Sequence, residues 1–141
     1  MRDLSEKPLR DQYLESLFPQ ENEFHALARK FADDLGLGPI SLAPQEGLLL
    51  QFFVSLAAPK KVIEIGTLTG LSALYLEKGL GSEGKIWTLE KNPEHVQCAK
   101  KVFQAAGLGS SRIEVVQGDA RETLESLVEA GPFDFVFIDG N

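Results

Sequence analysis

The chain has 141 residues, a length typical of one domain, and its mixed composition excludes a fibrous or disordered protein. Its formal net charge of -7 disfavours a nucleic acid or an anionic membrane as partner, because both require clustered lysine and arginine. The single cysteine, Cys98, excludes an intrachain disulfide and fits a cytoplasmic protein. No apolar run is long enough to predict a signal peptide or a membrane span.

Residues 1–58 have a helical pattern and form the first of two predicted regions, which we expect to pack on a sheet. One helix repeats apolar residues at helical spacing and ends at Gly36 and Gly38: Phe24, Leu27, Ala28, Phe31 and Leu35. A second helix begins near Pro44, since proline suits a first turn, and carries a broad apolar face: Leu48, Leu49, Phe52, Phe53 and Leu56.

Residues 59–141 form the second region, in which strand and helix patterns alternate. The predicted strands are 61–65, 85–90, 113–116 and 133–138, and the helices between them are 71–80, 92–106 and 120–130. This alternation predicts an α/β fold, a Rossmann-like doubly wound parallel sheet. The carboxyl ends of its strands meet at one edge, where ligands bind.

A glycine-containing loop, Glu64-x-Gly66-x-x-x-Gly70, follows the first strand. Its spacing differs from G-x-G-x-x-G, so the dinucleotide phosphate fingerprint is absent. A carboxylate at the loop entrance suits a cationic group, such as a sulfonium or an ammonium, better than a phosphate. An ordinary strand-to-helix turn is the alternative.

Acidic residues follow the other strands at the same edge. Glu90 is placed to accept hydrogen bonds from a ribose diol, unless it is a solvated acid paired with Lys91. Asp119 and Ala120 are placed to border an adenine ring, although Asp119 is equally suited to cap the next helix. Asp139 is a candidate ligand for Mg²⁺ or Ca²⁺, with a turn as the alternative role.

The two histidines, His25 and His95, are assigned to the surface rather than to catalysis. The sequence has neither a Cys/His metal cluster nor a P-loop or nucleophile elbow.

The order of these motifs resembles the cation-dependent O-methyltransferases of the catechol and caffeoyl-CoA type. The resemblance runs from about Leu14 to the last residue and is most specific in the loop 64–72 and the strand 133–139. It implies an enzyme that transfers a methyl group from S-adenosyl-L-methionine to a hydroxyl of a small phenolic or catechol-like acceptor, assisted by a divalent cation. It also implies a homodimer, for which Phe18, Phe24 and Phe31 would suit an interface if they are exposed; packing in the core is the simpler alternative.

Carried over by position, the resemblance implies a role for each motif. Glu64 and the loop backbone would hold the methionine end, with Leu42 acting through its backbone and Ser72 contacting the carboxylate. Asp139 would ligate the cation and lie beside the transferred methyl, as the one catalytic residue. The predicted cofactor-binding residues are Leu42, Glu64, Gly66, Thr67, Gly70, Ser72, Glu90, Asp119, Ala120 and Asp139.

Two departures from the family pattern bear on activity. Asn141 stands where many relatives carry an acid, and the sequence stops before the further strands that carry more metal ligands and acceptor contacts. In the family's reaction the cation lowers the pKa of the acceptor hydroxyl, and catalysis is mostly positioning and electrostatics. We therefore expect the sequence to be a fragment with an incomplete carboxyl-terminal half and little or no turnover by itself.

Two alternatives to a methyltransferase stay open. They are an NAD(P)-dependent oxidoreductase, which Glu90 permits, and a non-catalytic cofactor-binding module.

Overall fold

The computed structural model describes residues 9–17 and 21–140. Its helices and strands follow in the order α1 (Leu9–Leu17), α2 (Glu23–Asp34), α3 (Pro44–Ala57), β1 (Lys61–Ile65), α4 (Leu71–Gly79), β2 (Lys85–Glu90), α5 (Pro93–Ala105), β3 (Ile113–Gln117), α6 (Ala120–Ser126) and β4 (Phe135–Ile138). Short 3₁₀ turns occupy Gly38–Ile40 and Val128–Ala130.

The four strands form one parallel sheet in the order β3-β2-β1-β4. Chain order reverses beside β1, because β2 and β3 lie on one side of it and β4 lies on the other. The carboxyl ends of all four strands therefore meet at one edge, and the reversal between β1 and β4 opens a crevice there. This confirms the predicted α/β Rossmann-like parallel sheet.

Alternating side chains of the strands build a core on each face of the sheet. Val62 and Ile86 pack with α2, α3, α4 and α5 in the larger cluster. Ile63 and Trp87, one residue further along each strand, pack on the other face, where Leu127 after α6 covers them. This period of two, with helices on both faces, is the packing that a doubly wound sheet requires.

The predicted apolar face of α3 is largely exposed. Gly47, Leu50 and Val54 are the residues of this helix that are buried. The exposed side chains are Leu49, Phe52, Phe53 and Leu56. The helix is apolar on both sides, so sequence periodicity could not distinguish the face that meets α4.

By length and composition alone, Gly38–Ala57 could cross a membrane, which the sequence analysis did not anticipate. The segment is not one continuous helix, because residues 41–43 are non-helical between the 3₁₀ turn and α3. The 14 residues of α3 rise about 21 Å, whereas a bilayer core is about 30 Å thick. The absence of a membrane partner stays a prediction.

Two elements differ from their predicted bounds by more than one residue. The last strand begins at Phe135 rather than Phe133, because the Phe133 ring packs edge-to-face on Trp87. Asp134 instead accepts hydrogen bonds from the backbone N–H groups of Lys60 and Lys61, at 3.0 and 2.9 Å. These bonds fix the start of β4 beside the start of β1. The last predicted helix, 120–130, is divided into α6 and the 3₁₀ turn that follows it.

A single arginine holds the turn between α4 and β2. The Arg112 guanidinium donates to the carbonyls of Leu80, Gly81 and Gly84 at 3.0, 2.5 and 2.8 Å. Its Nε also donates to the Glu77 carboxylate at 3.0 Å. The turn is therefore tied to the start of β3.

The division into regions 1–58 and 59–141 stays a prediction. Helices α2 and α3 of the first region pack closely on α5 and α4 of the second.

Candidate functional site

A cavity of about 630 Å³ lies at the carboxyl edge of the sheet, over the crevice beside β1. Eight of the ten predicted cofactor residues line it: Leu42, Gly66, Thr67, Ser72, Glu90, Asp119, Ala120 and Asp139. Glu64 and Gly70 do not. The sheet thus brings together residues that are up to 97 positions apart in the chain, from 42 to 139.

Gly66 makes the sharp turn that opens this cavity. Its φ of +99° is a conformation that side chains rarely adopt, and an added Cβ would lie 2.5 Å from the Asp139 carbonyl oxygen. The loop after β1 therefore passes directly against the residues that follow β4. Gly70 has a different role from the predicted one: it caps α4 at φ +89° and packs under Phe103, away from the cavity.

Glu64 lies beneath the cavity rather than in it, which corrects the expected direct contact with a cationic ligand group. Its carboxylate is fully buried and accepts hydrogen bonds from the hydroxyls of Ser72 and Thr88, both at 2.6 Å. Desolvation is the main cause that raises the pKa of Glu64 to about 7; the charges of Asp139 and Glu90 contribute to this rise, and the two hydrogen bonds oppose it.

The hydrogen bond to Glu64 determines what the Ser72 hydroxyl can offer a ligand. Because its hydroxyl hydrogen is donated to Glu64, Ser72 offers only lone pairs to a ligand. Lone pairs suit an ammonium group, so the predicted contact between Ser72 and a ligand carboxylate is not supported. Thr67 and Thr88 extend the same buried network, with 2.5 Å between their hydroxyl oxygens.

Glu90 is held with both carboxylate oxygens in use. The backbone N–H groups of Leu68 and Asn92 each donate to one oxygen at 2.9 Å, and the side chain is almost buried. A carboxylate has about four lone-pair directions, so two remain for a ligand diol. The alternative of a solvated acid is wrong, because backbone groups fix Glu90 at the cavity wall.

Asp119 is the N-cap of α6, as its alternative interpretation predicted. It accepts from the Arg121 backbone N–H at 2.9 Å and from the Arg121 guanidinium at 3.0 and 2.6 Å. These contacts hold the pKa of the Asp119 carboxyl well below its usual range. Ala120 and Gly118 line the cavity next to it. A contact between Asp119 and an adenine amine would have to share the carboxylate with Arg121.

Asp139 lies at the end of β4, exposed to the cavity, and its N–H donates to the Ile65 carbonyl at 2.9 Å. Among the described residues no three His, Cys, Asp or Glu side chains are grouped so that they could hold a metal ion. One carboxylate is fewer oxygen ligands than Mg²⁺ or Ca²⁺ requires. Asn141 lies outside the described residues.

The surface assignment is wrong for His25, whereas His95 is partly exposed at the cavity. His95 lies in the first turn of α5 and lines the cavity, with its Nδ1 3.6 Å from a Glu90 oxygen. Its position could have been inferred, because a helix that follows β2 begins at the ligand-binding edge. His25 is buried at 1% exposure against Tyr75, and its spacing to Ala28 and Ala32 was a visible helical pattern.

Phe18 lies outside the described residues. Phe24 and Phe31 pack partly buried against the core, so they do not supply an exposed surface for a dimer interface.

The cavity is also lined by Ser41, Ile40 and Arg121, which no sequence motif predicted as site residues. The Ser41 hydroxyl is buried and has no hydrogen-bond partner within the part of the chain that the structure describes. An unpaired buried hydroxyl beside a cavity points to a ligand group that would complete it.

Comparison with known proteins places this site in a family. The O-methyltransferase family model matches residues 16–141, and the chain belongs to that family. A catechol O-methyltransferase from Niastella koreensis is 35% identical over 133 residues, which cover 93% of this chain and 60% of that protein. The chain thus spans about 60% of the length of such curated relatives.

Solved structures agree with this assignment. The O-methyltransferase from Bacillus cereus in complex with SAH has a TM-score of 0.84 at 31% identity, covering 93% of this chain and 60% of its own. The O-methyltransferase TomG from Streptomyces achromogenes, in complex with SAM, has a TM-score of 0.87 at 29% identity, covering 94% and 60%.

Proposed function

We propose that the protein is an S-adenosylmethionine-dependent O-methyltransferase that methylates a hydroxyl of a small phenolic or catechol-like acceptor. The observation that carries the proposal is the composition of the cavity wall. Glu90 and Asp139 face the cavity, and no Gly-rich phosphate loop accompanies them among the described residues. The wall also contains Lys91 and Arg121, and Arg121 is paired with Asp119. The carboxylates of Glu90 and Asp139 suit a sulfonium or an ammonium better than a pyrophosphate.

The described residues fit the methyl donor. Glu90 has free lone pairs for the ribose diol, Ser72 has lone pairs for the ammonium, and the buried Ser41 hydroxyl lacks an acceptor. When bound, S-adenosylmethionine supplies a methyl group on a positively charged sulfur. The chain's own task is to orient that donor and to exclude water around it, with Gly66 keeping the loop close against Asp139.

For the divalent cation, Asp139 is the residue that we propose as a ligand. The described residues do not form a complete site by themselves, so the remaining oxygens would have to come from water, the acceptor or other parts of the protein. A titration of Mg²⁺ and Ca²⁺ into the ligand-bound protein, repeated with Asp139→Asn, tests this assignment. Equal cation affinity in the two proteins would exclude Asp139 as a ligand.

We further propose a cytoplasmic homodimer, supported by the exposed apolar face of α3. Sedimentation measurements that show a monomer at all concentrations would contradict it.

Calorimetry with S-adenosylhomocysteine and NADH tests the donor. We expect binding of S-adenosylhomocysteine and none of NADH. The reverse result would instead support the oxidoreductase alternative. Binding of S-adenosylhomocysteine without methylation of any catechol by the full-length protein would favour a non-catalytic binding module.

A further inference from the structure

Two side chains from different helices hold one peptide unit at the cavity wall. The carbonyl oxygen of Leu42 accepts a hydrogen bond from Arg29 Nη2 of α2 at 2.9 Å. The N–H of Ala43 donates to Glu46 Oε2 of α3 at 2.8 Å. Both groups belong to the same planar unit, so the Leu42–Ala43 peptide is fixed at its two ends.

The arginine is itself anchored to the core. Its Nε and Nη2 donate to the two oxygens of Glu21 at 2.7 and 2.6 Å, and the Tyr75 hydroxyl donates to Glu21 at 2.5 Å. Tyr75 belongs to α4 and is 2% exposed. Its ring occupies the space that Gly47 leaves open on α3. Arg29 is thus connected to a rigid part of the fold.

Two donors of cavity-lining residues precede the fixed peptide. Within residues 9–17 and 21–140, the N–H of Leu42 has no hydrogen-bond acceptor, and neither has the adjacent Ser41 hydroxyl. The Ser41 N–H donates to the Gly38 carbonyl at 3.0 Å. Leu42 is therefore bracketed by a fixed peptide on one side and by the 3₁₀ turn on the other. Preorganised donors of this kind bind an anionic group without an ordering cost.

We propose that Arg29 and Glu46 are positioning residues that hold the Leu42–Ala43 peptide and so present the Leu42 N–H to the carboxylate at the amino-acid end of the ligand. Neither side chain lines the cavity, so both act through the backbone. The inference rests on the proposed function, because it requires a ligand that carries an amino-acid carboxylate.

The test compares two ligands by calorimetry. S-adenosylhomocysteine has the carboxylate, whereas 5′-methylthioadenosine keeps the adenine, ribose and thioether but lacks it. Arg29→Lys cannot reproduce the planar fork that serves Glu21 and Leu42 together. We expect this variant to bind S-adenosylhomocysteine about tenfold more weakly, which is the loss expected when one donor to a charged group is misplaced. Its affinity for methylthioadenosine should be about the same as that of the parent.

Glu46 gives a second and milder variant, because its Oε2 bonds the Ala43 N–H at an exposed position. Glu46→Ala should cause the same selective loss, whereas Glu46→Gln keeps an acceptor oxygen for the Ala43 N–H and should restore the parent affinity. The double variant Arg29→Lys with Glu46→Ala should lose less than the product of the single losses, since both act on one peptide. Lys30→Met, which removes an exposed ion pair with Asp34 on the same helix, is the matched control.

Equal losses for the two ligands would overturn the proposal, because they would show a general structural role. Unchanged affinity for S-adenosylhomocysteine in both Arg29→Lys and Glu46→Ala would overturn it too. A parent chain that binds methylthioadenosine as tightly as S-adenosylhomocysteine would refute the carboxylate contact and leave the proposed function intact. A parent chain that binds neither ligand would refute the proposed function itself, and this inference with it.

Discussion

Replacement of Glu64 by glutamine should change how stability depends on pH. Burial raises the pKa of this carboxyl from 4.5 to about 7 in the folded protein. Below pH 4.5 the group is protonated in both states and its titration has no effect. As pH rises from 4.5 through 7, the unfolded chain releases the proton more readily than the folded one, so the parent loses stability.

The size of this loss of stability follows from the size of the pKa shift. A difference of about 2.5 pKa units corresponds to about 3 kcal/mol of the free energy of unfolding once the pH is above 7. The glutamine side chain of the variant would not titrate, and the hydroxyls of Ser72 and Thr88 can rotate to satisfy an amide. The stability of Glu64→Gln relative to the parent should therefore rise by about 3 kcal/mol between about pH 4.5 and pH 8.

Urea unfolding provides the measurement, with the fluorescence of the single tryptophan, Trp87, as the probe. Trp87 is 8% exposed and packs on Phe133, so its emission should report unfolding of the sheet. Glu83→Gln, at an exposed position, controls for the removal of one negative charge. The free energies of unfolding of Glu64→Gln and the parent are compared at each pH. If their difference stays constant within about 0.5 kcal/mol over this range, the reasoning is refuted, because a change of that size is typical of ordinary surface substitutions.

Three further outcomes follow from the contacts. Gly47→Ala should lower the free energy of unfolding by about 1–3 kcal/mol, since the new Cβ would lie 2.3 Å from the Tyr75 ring; an unchanged melting temperature would contradict this. Arg112→Ala should destabilise by about 2–3 kcal/mol by leaving the carbonyls of the 80–84 turn without a charged donor, and Arg112→Lys should recover little of it in urea unfolding. Glu90→Gln should weaken binding of S-adenosylhomocysteine and methylthioadenosine alike by about tenfold or more, because the amide group that replaces one carboxylate oxygen would face a backbone donor and could not accept from a ribose hydroxyl; a loss confined to one ligand would exclude the ribose assignment.

Much of the fold could be predicted from the sequence because its local signals agree. Each strand is a short apolar run, and Asn92 followed by Pro93 caps α5 where the pattern predicts. The carboxyl ends of parallel strands must meet at one edge, so Glu90, Asp119 and Asp139 could be assigned to one site before the structure was known.

The direction of individual side chains could not be predicted in the same way. Glu64 follows the strand pattern as a polar residue near its end, and its burial depends on Thr88 of β2 and Ser72 of α4, which lie 24 and 8 residues away. Likewise, Leu42 was selected from the resemblance, but its contact with Arg29 joins two segments that helical periodicity treats as independent. Such contacts depend on tertiary packing, for which the local pattern of a single sequence carries no signal.

The placement of β4 beside β1 has a consequence for how the protein folds. Asp134 bonds backbone groups of Lys60 and Lys61, 74 and 73 residues earlier, and the loop at Gly66 touches Asp139 directly. Contacts of such long range form late, because the intervening chain must first be ordered. The ligand cavity therefore comes into existence only when the last described strand docks. A ligand that binds only this docked state would slow its undocking and shift the folding equilibrium toward it, so the presence of cofactor during synthesis would help the chain to complete its own fold.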